Sequence, residues 1–260
     1  MKPLICMTLC AAFLPAQGVE SVVFVAHRGG IVEGYPENTL PAFRRSATLG
    51  IDAIEVDLRA TRDGEIVILH DETLDRTTNG SGKVGEFTST ELRRLDAGGG
   101  ERIPTFEETL RVVAGTGVQL VLDIKESPML DKAKVVRLIE KHHAILNVIV
   151  APRNLDDLRA FQQLNANLRT LGLIRAPEDV GPFAAAGVHI IRLWPKWIDA
   201  DPGLVKKVLQ TGRPVWTTAG PAPRDEVERL IRMGVTGIVT DLPEMVREMR
   251  LARPQAQQQR

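Results

Sequence analysis

Residues 53–70 read AIEVDLRATRDGEIVILH, and two apolar runs lie inside them, Ala53–Leu58 and Ile66–Leu69. Only Arg59–Glu65 separates the runs, and this link carries the turn pair Asp63 and Gly64. A parallel crossover needs about a dozen residues or more, so the two runs are expected to pair antiparallel. Seven further strand candidates follow the same β-branched pattern: Val22–Ala26, Gln119–Ile124, Asn147–Val150, Thr170–Ile174, Val188–Leu193, Pro214–Thr217 and Gly237–Thr240. Between most of them lie amphipathic helical stretches with legible ends. Thr105 and Glu108 frame a capping box whose helix stops near Gly115. Asp201 and Pro202 suit a helix start and Gly212 its end, and the helix over Arg224–Met233 finishes at Gly234. Repeated β-α units of this spacing predict a parallel sheet covered by helices. Nine candidates are one too many for a (β/α)8 barrel. With Ile66–Leu69 assigned to an insertion spanning Arg59–Arg102, after the second barrel strand, eight remain, and Phe106–Ala114 becomes the second barrel helix. A barrel of about 250 residues fits the chain.

In such barrels the strands deliver chemistry at their C-terminal ends. Glu55 and Asp57 stand two apart, so both point to one face of their strand. Ile54, Val56 and Leu58 then face the helices, which puts both carboxylates in the barrel mouth. Like charges held there are costly unless a cation neutralises them, which favours a metal. The other strand ends carry His27 and Arg28, then Asp123 and Lys125, Arg192 and Trp194, Trp216, and Asp241. His70 closes the antiparallel run and is expected to lean over the mouth. A metal-bound carboxylate pair between two titratable imidazoles is equipment for hydrolysing an ester, above all a phosphate ester. His27 and His70 are the candidate acid–base pair, with the order of their roles open. Arg28 and Lys125 are candidate phosphate binders, or structural partners of the carboxylates. Trp194 and Trp216 are candidate walls for an alcohol moiety. Glu37 suits a supporting rim position and Asp241 a brace for the last βα loop, while His142, His143 and His189 lack any such context.

Composition bounds the function class. The chain has 260 residues, 43% apolar and 25% charged, with 33 basic and 33 acidic side chains. That balance gives no footprint of a nucleic-acid binder. Residues 1–18 stand apart: Lys2 precedes an apolar run from Pro3 to Pro15 and then small residues. The segment has the form of a secretory signal peptide cleaved after Ala16 or Gly18, and is shorter than the about 20 residues of a membrane span. It predicts a secreted or periplasmic protein of residues 19–253, or a cytoplasmic one if the segment is no signal. Cys6 and Cys10 both lie inside it, so the remainder would need no disulfide. The glutamine-rich tail 254–260 is expected to be disordered.

Seven short motifs then occur in order between Ala26 and Pro243: His27-Arg28-Gly29, Pro36–Thr39, Glu55–Asp57, His70-Asp71, Leu122–Lys125, Trp216-Thr217 and Thr240–Pro243. Together they resemble the glycerophosphodiester phosphodiesterase family. The resemblance implies a TIM barrel with a short inserted segment. It implies one divalent cation, Ca2+ or Mg2+, held by Glu55, Asp57 and a third carboxylate at Asp123, with His27 and His70 catalytic. An all-oxygen ligand set independently suits a hard cation better than zinc. The implied reaction is metal-dependent hydrolysis of a small glycerophosphodiester to sn-glycerol 3-phosphate and an alcohol, with either water or the glycerol hydroxyl attacking first. Asp123 departs from the glutamate of most members and is one methylene shorter, although the more distant sphingomyelinase D-like enzymes carry aspartate there. Glu126 falls on the opposite face by alternation. The family's Trp-Thr-Val-Asn becomes Trp216, Thr217, Thr218 and Ala219, which removes the asparagine's contact. Two alternatives stand: a phospholipase D-like lyase releasing cyclic phosphate from sphingo- or lysophospholipids, and a non-catalytic protein that keeps the phosphodiester pocket. The lyase would want an apolar rim, against which the 4% aromatic content speaks.

Overall fold

A computed structural model describes residues 21–125 and 129–252. The expected signal segment with Cys6 and Cys10, Glu126, and the tail 254–260 lie outside the described residues.

Nine strands form one sheet: β1 (Val23–Ala26), β2 (Ala53–Ala60), β3 (Ile66–Ile68), β4 (Gln119–Ile124), β5 (Val148–Ala151), β6 (Arg169–Gly172), β7 (Ile190–Leu193), β8 (Val215–Gly220) and β9 (Gly237–Thr240). All but β3 run parallel in the order β1-β2-β4-β5-β6-β7-β8-β9, and β9 pairs back to β1. The result is a closed eight-stranded parallel barrel. β3 is the antiparallel exception, with Leu58 opposite Ile68 and Ala60 opposite Ile66. Its partner β2 shares its first two residues with β1 and its last three with β3 along the same edge. That second pairing carries β2 to Ala60, two residues beyond the apolar run.

The helices are α1 (Leu40–Thr48), α2 (Ser89–Leu92), α3 (Phe106–Ala114), α4 (Lys132–Lys141), α5 (Leu155–Leu164), α6 (Val180–Ala185), α7 (Pro195–Ala200), α8 (Leu204–Gln210), α9 (Arg224–Arg232) and α10 (Pro243–Leu251). The capping box at α3 closes as its sequence requires. Thr105 Oγ1 accepts from the Glu108 N–H at 3.1 Å, and Glu108 Oε2 accepts from the Thr105 N–H at 2.9 Å. Helix α7 was not expected. It opens on Pro195, whose fixed φ suits a first helical turn, directly behind Trp194.

Alternation along the strands divides the core into two shells. Ile54, Val56 and Leu58 join Phe24, Phe43 and Phe106 in the layer between barrel and helices. Val25, Ala53, Val121, Ile149, Leu171, Ile190, Trp216 and Val239 fill the barrel interior. Residues between β2 and α3 build a third small core from Val67, Leu69, Leu74, Val84, Leu92, Ala97 and Ile103. This core holds β3 rigidly beside the mouth, and so fixes the chain just before His70.

Candidate active site

The C-terminal ends of the barrel strands open into a cavity of about 310 Å³. Its wall is chemically divided. β1, β2, β4 and the segment after β3 supply His27, Arg28, Glu55, His70, Asp123 and Lys125. The strands β5 to β8 supply Ala151, Arg153, Leu171, Leu173, Arg192, Trp194 and Thr218.

Three carboxylates form the floor of the first half. Asp57 and Asp123 are register partners on β2 and β4, and Glu55 sits two residues before Asp57. One oxygen from each lies within 4.8 Å of the others, and all three side chains are buried. Burial and then the neighbouring Asp57 charge push the Glu55 carboxyl well above its ordinary range. Burial would raise Asp57 as well, but Lys125 and a hydrogen bond from Asn38 bring it below its ordinary value. The cluster is therefore short of positive charge at Glu55, which is compatible with a divalent metal site.

Side chains around the cluster hold it in place. Lys125 Nζ is 3.0 Å from Asp57 Oδ1 and also pairs with Asp123. Arg153 grips the Asp123 carboxylate with both edges of its fork, Nε to Oδ1 at 3.1 Å and Nη2 to Oδ2 at 2.6 Å. The Arg28 backbone N–H donates to Glu55 at 3.0 Å, and its guanidinium donates to Glu37 at 2.9 Å. Asn38 donates to Asp57 Oδ2 at 2.8 Å. This reach depends on backbone at positive φ in Arg28 (54°) and Asn38 (58°), a region asparagine tolerates well. Gly29 between them has φ of 84°, and a Cβ there would meet Phe43 at 2.7 Å. Only glycine fits.

Both histidines hang from carboxylates. His27 Nδ1 donates to Asp241 at 2.6 Å, and His70 Nδ1 donates to Asp71 at 2.6 Å. A carboxylate accepts only, so each Nδ1 carries the hydrogen and each Nε2 stays available toward the cavity. Burial pulls the His27 pKa down, but the Asp241 hydrogen bond and the Glu55 charge more than offset it, so it stands above its ordinary value. At His70 burial wins over the Asp71 hydrogen bond, and the pKa falls below its ordinary value. Arg59 fixes the ring's root, because its guanidinium donates twice to the His70 carbonyl, at 2.6 and 3.1 Å.

Sequence reasoning thus placed His27, Arg28, Glu55, His70, Asp123, Lys125 and Trp194 around one cavity, with Asp57 directly beneath them. Trp216 does not join them. Its indole lies one layer deeper, 2% exposed in the barrel interior, and lines a depression at the opposite end with Arg169 and Arg213. Asp241 holds His27 rather than only bracing its loop. Glu37 bridges Arg28 and Arg76, and Arg76 in turn grips Asp71. Arg153 was missed entirely. Its position, two residues beyond the end of β5, was the available signal.

The sequence model of the Glycerophosphoryl diester phosphodiesterase family matches residues 27–245. A glycerophosphodiester phosphodiesterase of Caldanaerobacter subterraneus subsp. tengcongensis is 35% identical over 233 residues, covering 85% of this chain and 94% of the relative. The crystal structure of a glycerophosphodiester phosphodiesterase from Agrobacterium tumefaciens superposes with a TM-score of 0.74 at 28% identity, over 87% of this chain and 99% of that one. An Oleispira antarctica phosphodiesterase, in complex with the product sn-glycerol-3-phosphate, shares the fold with a TM-score of 0.77 at 24% identity, over 91% and 100%.

Proposed function

Since the chain belongs to the glycerophosphoryl diester phosphodiesterase family, and is thus a phosphoric diester hydrolase, we propose that it cleaves glycerophosphodiesters to sn-glycerol 3-phosphate and an alcohol by metal-dependent, two-histidine acid–base catalysis. One observation carries this mechanism. Two imidazoles, each anchored through Nδ1 on its own carboxylate, flank a buried cluster of three carboxylates in a single cavity.

The cluster fits a divalent cation of the Ca2+ or Mg2+ type. Its ligands are all hard oxygens, and the raised Glu55 carboxyl marks missing positive charge. Glu55, Asp57 and Asp123 would hold the ion, which when bound polarises the phosphate and neutralises its developing charge. Asp123 is short for this task, and Arg153 on one side with Lys125 on the other keeps its carboxylate directed at the cluster.

The other residues divide the proton work. His70, lowered in pKa and hence neutral near pH 7, is suited to take at Nε2 the proton of the attacking water, or of the glycerol hydroxyl where a cyclic phosphate forms first and water then opens it. His27, raised in pKa, is suited to hold a proton and deliver it to the departing alcohol oxygen. Asp241 stabilises the charged form of His27 and fixes its tautomer. Arg28 and Lys125, positioned by Glu37, Asp57 and Asp123, offer positive charge to the phosphate oxygens.

The test is release of sn-glycerol 3-phosphate from glycerophosphoglycerol, with Mg2+ or Ca2+ and with EDTA, by wild type, His27→Ala and His70→Ala. General acid–base groups contribute about 10²–10⁴-fold, so each variant should lose at least that order, and EDTA should abolish turnover. Activity that survives EDTA, or two unimpaired histidine variants, would sink the mechanism.

A further inference from the structure

Among the described residues, the half of the cavity built by β5 to β8 has no carboxylate and no imidazole in its lining. It has an apolar floor of Ala151, Leu171 and Leu173, and above that Arg192 and Trp194. Arg192 is the anomaly. It is 3% exposed, and neither Nε nor Nη1 has a hydrogen-bond partner among the described residues. Its guanidinium stacks 3.7 Å from the centre of the Trp194 ring. The Arg153 charge opposes that of Arg192, while the Asp123 and Glu55 carboxylates favour it from a distance; Asp123 is itself held by Arg153 and Lys125. A buried guanidinium with unpaired N–H groups and no ion-pair partner among the described residues is costly, so a directly bound anion is expected from outside.

The diester's phosphate does not meet this need. It must lie beside both imidazoles and the three carboxylates, where Arg28 and Lys125 already serve it. One substituent of the phosphate must then extend over the opposite half, toward Arg192. Glycerol hydroxyls carry no charge, whereas a planar guanidinium fork matches a carboxylate or a phosphate. A cationic alcohol such as choline would meet two guanidiniums there. It would also find the inner face of Trp194, which cation–π recognition would use, taken by Arg192.

We propose that Arg192 makes this enzyme select glycerophosphodiesters whose alcohol carries an anionic group, a carboxylate or a phosphate; this specificity rests on the hydrolysis proposed above. Glycerophosphoserine and glycerophosphoethanolamine form a matched pair that differs by one carboxylate. Glycerophosphoglycerol with and without a terminal phosphate forms a second pair, which separates the two anions. A hydrogen bond to a charged group predicts that kcat/KM in wild type favours the anionic member of at least one pair by roughly 10- to 100-fold, mainly through KM. In Arg192→Gln that ratio should collapse toward one, whatever happens to the absolute rates. Arg192→Lys, which keeps the charge but not the fork, should retain part of it. Thermal unfolding of each variant confirms that it is folded. Equal turnover of both members of both pairs by wild type would overturn the proposal, and so would an Arg192→Gln variant whose kcat/KM falls equally for all four. No turnover of any diester would instead defeat the underlying hydrolysis, and the specificity with it.

Discussion

Asp241 shows how one side chain sets the chemistry of another. Its hydrogen bond to Nδ1 at 2.6 Å, together with the Glu55 charge, lifts His27 against the pull of burial. His70 has a similar carboxylate partner, yet burial and the nearby Lys125 leave it lowered. The two imidazoles therefore titrate on opposite sides of the ordinary histidine value of 6.5. With His70 as base and His27 as acid, kcat/KM against pH should be bell-shaped. The acid limb falls below pH 6.5, where His70 takes up a proton, and the alkaline limb above it, where His27 loses one. Asp241→Asn keeps the shape but removes the charge. Its kcat should drop by roughly 10- to 100-fold, as for other partners that orient a functional histidine, with KM little changed. The alkaline limb should move to lower pH while the acid limb stays in place. A pH profile of the variant superposable on wild type would show that Asp241 does not set the His27 proton affinity.

Strands carry most of what the sequence made legible, and also its clearest error. Alternation along β2 was enough to send Glu55 and Asp57 inward and Ile54, Val56 and Leu58 outward, because a strand's side-chain period is two. The short link through Asp63 and Gly64 was enough to make β3 antiparallel. Alternation yields a face, however, and not a depth. On β8, Trp216 and Thr218 share the inward face, but only Thr218 reaches the cavity. Stagger between strands sets the depth, and Trp216 pairs in register with Gly237 at the very start of β9. Its indole lies flat against that glycine, where an added Cβ would come within 2.3 Å of the ring. Partners distant in the chain, such as Arg153 on Asp123 and Asn38 on Asp57, were illegible for the same reason, since the parallel pairing of neighbouring strands brings them together. Gly237→Ala should therefore overpack the base of the barrel and destabilise by about 1–3 kcal/mol, leaving the mouth intact. Each kcal/mol lowers Tm by about 2–4 °C in a domain of this size, so calorimetry should find a drop of several degrees. An unchanged Tm would mean that the Trp216 indole does not pack tightly against Gly237.

For the molecule as a whole, the acidic cluster ties folding to both cation and pH. Glu55 has a raised carboxyl in the folded protein, so the metal-free fold holds that proton more tightly than the unfolded chain. The stability this contributes is present below the ordinary glutamate value of 4.5 and is lost progressively as pH rises toward the folded value. Metal-free protein should accordingly melt lower at pH 8 than at pH 6. A divalent cation reverses the sign, because it binds the ionised carboxylates and must displace the Glu55 proton to do so. Its stabilisation should therefore be larger at pH 8 than at pH 6. At a free concentration a hundredfold above Kd, linkage gives about 2.7 kcal/mol, a rise of roughly 5–10 °C in Tm. Thermal melts at the two pH values, with Mg2+, with Ca2+ and with EDTA, measure this without any assay of activity. Asp123→Asn should remove most of the cation-induced shift, since it takes one of three charges from the cluster and frees the Arg153 fork. Equal shifts in wild type and Asp123→Asn would place the ion elsewhere, and a shift larger at pH 6 would contradict proton displacement at Glu55.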